Sequence, residues 1–88
     1  LDAMLRDPPA TYRLWEVAIG TGSMIANLTV REAAIRENFG VSVLAIGDGA
    51  ESWHVNPRDN ERLAPGTIMI VLASSEQVET LQLAAGAK

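Results

Sequence analysis

The chain has 88 residues, enough for one small domain, and it contains no cysteine and a single histidine. These counts exclude disulfides and thiolate metal sites and argue against a zinc site, so oligomerisation is the stabilising device left open to so small a domain. Seven basic residues against eleven acidic ones give a net charge of −4, and we expect no nucleic-acid partner because phosphate binding needs a concentrated basic surface.

The first segment, residues 1–11, carries a short apolar pattern. Leu1, Met4 and Leu5 recur at helical spacing before Pro8 interrupts them. We predict that this segment is the end of a helix belonging to an upstream element, and a disordered terminus is the alternative. The start is mixed and acidic, unlike a signal peptide. No apolar run of the sequence approaches the roughly 20 residues that cross a bilayer.

Residues 12–19 alternate in character, with Trp15, Val17 and Ile19 on one face. Strict alternation predicts a half-buried strand. The glycine- and serine-containing stretch 20–23 follows. A phosphate-binding loop is the alternative for this stretch, but neither the lysine of a P-loop nor a third glycine at dinucleotide-fold spacing is present. We therefore interpret it as a turn.

A helix is predicted from Thr29 to Phe39. Thr29 and Glu32 have the spacing of a capping box, and Gly40 can end the helix in the left-handed conformation. The apolar stripe expected to face a sheet consists of Leu28, Ile35 and Phe39. A second apolar patch, on roughly the opposite side, consists of Val30, Ala33 and Ala34. A helix that is apolar on two sides is expected to have two neighbours.

The second half of the chain predicts three strands and a helix. The strands cover residues 41–46, 51–55 and 67–73, and a capping signal at 74–77 begins a helix that Gly86 should end. The element order β-α-β-β-β-α indicates an α+β fold with a four-stranded sheet and two helices. Two strands are apolar on both faces, as in covered sheets. We infer that another copy or domain covers what two short helices cannot; a face lined by small residues is the alternative.

Few residues offer catalytic chemistry. His54 is the only histidine that could activate a serine, and every serine lies at a turn, cap or strand position that explains it. The acidic pairs Asp48 with Glu51 and Asp59 with Glu61 lie in polar loops, where carboxylates are usually solvated, although a weak cation site is conceivable there. We expect neither an enzyme nor a metal site.

Two side chains have a plausible binding role. His54 is either an exposed strand residue or a functional one, which would donate to a ligand phosphate or act as a pH switch. Arg36 lies beside the core-facing stripe of the first helix, where an arginine often only solvates the rim. An arginine on a dimer-facing helix would also bind a dianionic ligand.

Several short motifs occur in an order typical of one family. They are Gly22-Ser23, residues 28–32, residues 39–46, Asn56-Pro57, Leu63, Gly66 and Ser75-Glu76-Gln77. Together they resemble the TrkA-C domain, the C-terminal domain of regulators of potassium conductance (RCK_C), over about residues 15–83. The sequence departs from the family at Thr67, where an aspartate commonly follows the glycine, and this departure weakens any claim that the turn holds a cation.

The resemblance implies a regulatory domain, residues 12–88, that forms a homodimer at the cytoplasmic face of the membrane. Residues 1–11 would then end the linker helix that follows an upstream Rossmann-type nucleotide-binding lobe. Its host would be a potassium channel or transporter, in which the domain works with that lobe and with the membrane pore. The alternatives are a purely structural dimerisation module, or the regulatory domain of another transporter or of a gene regulator.

The resemblance also suggests a ligand. Some family members bind cyclic di-AMP in the cleft between two copies, against the helix that corresponds to residues 29–39 and the strand after it. No firm cofactor is implied, and this or another nucleotide would act as an effector. On this basis the expected ligand-binding residues are Arg36, Asn38, Phe39, Val41 and His54.

Overall fold

The computed structural model describes residues 11–49 and 52–86. Its elements are β1 (Arg13–Ala18), α1 (Val30–Ala33), α2 (Ile35–Phe39), β2 (Ser42–Gly47), β3 (Trp53–Val55), β4 (Ile68–Ala73) and α3 (Ser75–Ala85). The predicted α+β class with a four-stranded sheet is confirmed. The predicted helix within residues 1–11 lies outside the described residues. The longest helix of the described ranges has 11 residues, too short and too polar to span a bilayer.

All neighbouring strands of the sheet are antiparallel, in the order β1-β4-β2-β3. The most apolar strand of the sequence, β4, takes an interior position and pairs on both sides, with Met69 opposite Val17 of β1 and Ile46 of β2. β3 is a three-residue edge strand, and only Ala45 to Gly47 of β2 pair with it. The other half of β2 therefore has an open edge.

The helices pack on one face of the sheet and form the core with it. The predicted apolar face of β1 is confirmed, since Val17 and Ile19 are buried and Trp15 packs against the core. The Trp15 indole Nε1 donates a hydrogen bond to the Ala73 carbonyl oxygen at 2.9 Å. The largest fully buried side chains are Val17, Ile19, Ile35, Val41, Leu63, Met69, Val71 and Leu81.

The first predicted helix is divided at Ala34. This residue has φ 49° and ψ 50°, a left-handed conformation, and its N–H donates to the carbonyls of both Val30 and Arg31. The capping box of Thr29 is present as predicted. The break turns the chain, so that Ala33 is buried and Val30 contacts the same core as Ile35. Val30 and Ala33 of the second patch therefore face the same core as Ile35, and the two expected neighbours of this helical segment are β2 and α3.

Replacing Ala34 with glycine is expected to stabilise the fold by up to about 1 kcal/mol, because a left-handed alanine is strained and glycine is not. The control is Ala33→Gly, which places glycine in the helix just before the break and at a buried position. That change should destabilise the fold by about 1 kcal/mol. Urea unfolding measures the free energy of unfolding of both variants. Equal destabilisation by the two changes would contradict the left-handed geometry at Ala34.

The final helix, α3, follows its sequence signals. Ser74 and Gln77 form a capping box, and Gly86 ends the helix with φ 71°. Its apolar residues Val78, Leu81 and Ala85 are buried in the core that the helix forms with the sheet. Local signals are sufficient here because the cap, the apolar residues and the stop all lie within the thirteen residues from Ser74 to Gly86.

The opposite face of the sheet is not covered by any described element. We call it the outer face. Its apolar side chains are Leu14, Ala18, Ala45, Trp53, Val55, Ile68, Ile70 and Leu72. Leu14 is 64% exposed, Val55 69% and Leu72 40%. The prediction that the helices leave part of the sheet uncovered is confirmed for the residues the structure describes.

The β2–β3 pair depends on a glycine at position 47. A Cβ there would lie 2.5 Å from the Ser52 carbonyl oxygen and 2.6 Å from the Trp53 ring. We expect Gly47→Ala to lower the free energy of unfolding by about 1–3 kcal/mol through overpacking. The control is Gly22→Ala, since a Cβ at Gly22 would meet no atom within 4 Å. Thermal unfolding gives the midpoint temperature of each variant. Equal midpoints for Gly47→Ala and Gly22→Ala would contradict the close approach of Ser52 and Trp53 to position 47.

Candidate functional site

A cleft of about 710 Å³ lies between the α1–α2 helices and the open half of β2. We call it the helix–strand cleft. Its walls come from the helices at Ala34 and Arg36, from residues 42–44 of β2 and from the loop at Asn56 and Pro57. Three separate parts of the chain therefore meet at this cleft.

The cleft exists because β3 stops early. After Val55 the chain turns away at Asn56, which has φ 56°, a conformation that asparagine tolerates better than most residues. The Asn56 N–H still donates to the Leu44 carbonyl at 2.8 Å. Pro57 has no N–H with which to continue the ladder. Beyond this point Ser42 and Val43 have no β3 partner, and their edge borders the cleft.

The polar groups of the cleft are unequally paired. Arg31 forms an ion pair with Asp59, Nη2 to Oδ2 3.4 Å, between two exposed side chains. Exposed pairs of this kind contribute little to stability, about 0–1 kcal/mol. Arg36 also lines the cleft, and no described residue forms a hydrogen bond or ion pair with its guanidinium. Among the described residues, nothing occupies the donors of the Arg36 guanidinium, which can therefore bind an anion.

The rest of the lining is largely apolar. Val41 and Ile35 are buried beneath it, and Val43, Leu44 and Pro57 contribute to its walls. Ser42 and Asn56 add a hydroxyl and an amide. A mostly apolar cleft with a few polar groups is the usual composition of a small-molecule site.

Two of the five predicted ligand-binding residues, Arg36 and Val41, line the helix–strand cleft. Asn38 instead donates a hydrogen bond from Nδ2 to the Ala33 carbonyl at 3.3 Å, and Phe39 packs against the core. At about 100° per helical residue, Asn38 lies on the side of the helix opposite to Arg36. Phe39 is only about 60° from Arg36 around the helix, but it packs against the core and does not line the cleft.

His54 lies in a different concavity of about 520 Å³, with Trp53, Glu61 and Arg62. Its Nδ1 is 2.7 Å from the Glu61 carboxylate oxygen Oε2. The two concavities share no lining residue. The structure therefore does not bring His54 together with Arg36.

Sequence reasoning missed the contributions of Ser42, Asn56 and Pro57. The sequence presents the Asn-Pro dipeptide only as one of the motifs of the family, with no role in a site. Its role in opening the edge of β2 depends on pairing between distant residues, which no local pattern reports. A short strand followed by proline was the one available signal.

The family model of the TrkA-C domain matches residues 14–86 of this chain. No curated protein matches it. Among solved structures, the chain is similar to the GsuK channel bound to NAD, with 23% identity and a TM-score of 0.69. The match covers 88% of this chain and 14% of the GsuK chain. The chain thus spans about one seventh of that protein.

Two further solved structures are similar to this chain over most of their own length. One is the RCK_C domain dimer of S. agalactiae BusR in complex with c-di-AMP, with 12% identity and a TM-score of 0.76, covering 85% of this chain and 91% of that one. The other is the KtrA RCK C domain in complex with c-di-AMP, with 17% identity and a TM-score of 0.65. That match covers 93% of this chain and 91% of the KtrA domain.

A longer BusR chain qualifies the expectation about nucleic acid. BusR in complex with its busAB-promotor DNA has 13% identity and a TM-score of 0.76, and the match covers 99% of this chain but 44% of that chain. Domains of this fold therefore occur within a protein that binds DNA, and the expectation of no nucleic-acid partner does not extend to such hosts. Since the family model matches 73 of the 88 residues, from 14 to 86, the chain belongs to the TrkA-C domain family.

Proposed function

We propose that this chain is the regulatory domain of a potassium channel or transporter and that the helix–strand cleft binds a cyclic dinucleotide, cyclic di-AMP. The observation that carries the proposal is Arg36, a guanidinium without a partner among the described residues, at a cleft with apolar walls. The similar KtrA and BusR domains, both in complex with c-di-AMP, support this ligand class.

The chemistry of the cleft suits the two parts of such a ligand. A guanidinium can bind two phosphate oxygens at once through its planar fork of donors. Val43, Leu44 and Pro57 offer apolar surface for an adenine ring. The Asn56 amide has both a donor and an acceptor for the edge of a base. Glu37 and Asp59 also border the cleft, so a phosphate would be bound by the local position of Arg36 rather than by a broad positive field.

The domain acts as a homodimer in this proposal. A ligand shared by two copies changes their relative orientation only through its different affinities for the two arrangements. That change would pass to an upstream nucleotide-binding lobe and to the membrane pore, with the domain at the cytoplasmic face. We attribute no catalytic step to the domain, since His54 is already held by Glu61.

Isothermal titration of the purified chain with cyclic di-AMP tests the proposal. We expect saturable heat with cyclic di-AMP and weaker or no binding of AMP, which has the same base but one phosphate. Absence of heat at high micromolar concentrations of cyclic di-AMP would reject this ligand.

A purely structural dimerisation module is the second hypothesis. The charges at the cleft favour this hypothesis, because two basic side chains are balanced by two acidic ones, Arg31 and Arg36 against Glu37 and Asp59. The size of the uncovered outer face favours it as well. In that case the domain would transmit motion sensed by an upstream lobe. A chain that dimerises but binds no nucleotide would support this hypothesis over the first.

A further inference from the structure

Glu61 connects three parts of the chain beside the helix–strand cleft. Its backbone carbonyl accepts a hydrogen bond from the Val30 N–H, in the first turn of α1, at 2.8 Å. Its N–H donates to the Arg58 carbonyl at 3.0 Å and closes a turn of the loop that follows β3. Its carboxylate oxygen Oε2 is 2.7 Å from the His54 Nδ1 on β3. One residue therefore joins the helix side of the cleft, the loop and the edge strand of the sheet.

The loop that Glu61 closes forms one wall of the cleft. We call residues 56–61 the strap. Three strap residues line the cleft: Asn56, Pro57 and Asp59. The strap is bound on both sides of the cleft, because the Asn56 N–H donates to the Leu44 carbonyl of β2 at 2.8 Å and the Asp59 carbonyl accepts the Arg31 N–H of α1 at 2.9 Å. The position of the strap therefore shapes the cleft.

The contact between His54 and Glu61 ties the strap back to β3. The Glu61 side chain is only 22% exposed, so loss of His54 would leave its carboxylate without this partner where little water can replace it, which is costly. A second side-chain contact of the strap, between Arg31 and Asp59, joins two exposed groups at 3.4 Å and contributes little. The contact between His54 and Glu61 is the better shielded of the two.

We propose that His54 and Glu61 are positioning residues, which tie the strap to β3 and so hold one wall of the helix–strand cleft in place for the nucleotide. The inference rests on the proposed function for the ligand and adds a contact that shapes its site. His54 lines the other concavity and not the cleft. Its effect on binding therefore passes through Glu61 and the strap.

Isothermal titration of two variants at position 54 with cyclic di-AMP tests the contact. His54→Ala removes the partner of Glu61, whereas His54→Gln keeps a side-chain donor for the carboxylate. The His54 side chain is 74% exposed, so both variants should fold, which circular dichroism checks. We expect His54→Ala to weaken binding about three- to tenfold, as coupling within one network does, and His54→Gln to bind within about twofold of the unmodified chain.

Two results of this titration would overturn the proposal. One is unchanged affinity in His54→Ala. The other is a loss in His54→Gln as large as that in His54→Ala, because the donor to Glu61 would then not be what matters.

Hydrogen exchange of the ligand-free chain tests the same contact without the nucleotide. The Val30 and Arg31 amides donate to strap carbonyls, whereas the Ala33 amide donates to the Thr29 carbonyl of its own helix at 2.9 Å. A loosened strap should speed exchange at Val30 and Arg31 at least about threefold in His54→Ala and leave Ala33 unchanged. Equally faster exchange at all three amides would indicate general destabilisation and would overturn the proposal, as would unchanged exchange at Val30 and Arg31.

The two measurements separate this proposal from the proposed function. If the unmodified chain binds no cyclic di-AMP, that ligand is rejected, and the exchange rates at Val30 and Arg31 decide whether His54 holds the strap. If His54→Ala does not fold, exchange in the unmodified chain decides. Saturating cyclic di-AMP should then slow exchange at the Asn56 and Glu61 amides of the strap, and no change at these amides would overturn the proposal.

Discussion

Replacing Arg36 with glutamine is expected to weaken the binding of cyclic di-AMP by about 10- to 100-fold, since a hydrogen bond to a charged group contributes about 1.5–3 kcal/mol. Glutamine keeps part of the side-chain length and a donor but removes the charge and the bidentate fork. No described residue pairs with Arg36, so the change should leave the fold intact. Isothermal titration measures the affinity, and urea unfolding measures the stability.

The matched control for Arg36 is Arg13→Gln. Arg13 is also exposed but lies at the start of β1 and does not line the cleft. Both changes lower the net charge of the chain equally, so a general electrostatic effect would weaken binding in both variants. Equal affinities for the Arg36 and Arg13 variants would contradict a specific role for Arg36.

Truncation of Leu81 should produce the largest loss of stability. Leu81 is 0% exposed, on α3, in the core that this helix forms with the sheet. Leu81→Ala should cost about 2–5 kcal/mol, because it removes buried apolar surface and leaves a cavity. A small domain has a total stability of only about 5–10 kcal/mol, so the variant should be close to unfolding at 37 °C.

Leu83→Ala provides the comparison within the same helix. Leu83 is two residues further along α3 and 82% exposed, so its truncation should change the free energy of unfolding by less than about 0.5 kcal/mol. Urea unfolding of both variants separates burial from helix propensity, because the substitution is the same. Similar losses for the two would contradict the packing of α3.

The parts of the fold that sequence reasoning predicted correctly have local causes. α3 has its cap at Ser74, its buried stripe and its stop at Gly86 in one short stretch. The alternation of β1 likewise identified its buried face. The break at Ala34 was not predictable in this way, because an alanine adopts the left-handed conformation only when tertiary packing repays the strain.

The candidate site was predictable only in part for the same reason. Arg36 could be singled out from its helix position and from the family resemblance. The sequence does not reveal that His54 lies apart from Arg36. In the structure, the contact with Glu61 holds His54 in the other concavity. Asn56 and Pro57 border the cleft only because β3 ends where it does.

The outer face and the helix–strand cleft meet at Ser42. In the proposed dimer, a ligand shared by two copies at the cleft couples ligand binding to the geometry of the dimer. Such coupling is reciprocal: a ligand that favours one dimer arrangement is bound more tightly by it. We therefore expect cyclic di-AMP to lower the dimer dissociation constant, which sedimentation with and without ligand measures.

The central claim is that the helix–strand cleft is the nucleotide site. Amide chemical-shift mapping during titration with cyclic di-AMP tests it most directly. We predict that the largest shifts occur at Arg36, at residues 42–44 and at Asn56, while Trp53, His54 and Glu61 are little affected. Saturable shifts centred on His54 and Glu61, with none at Arg36, would contradict the account.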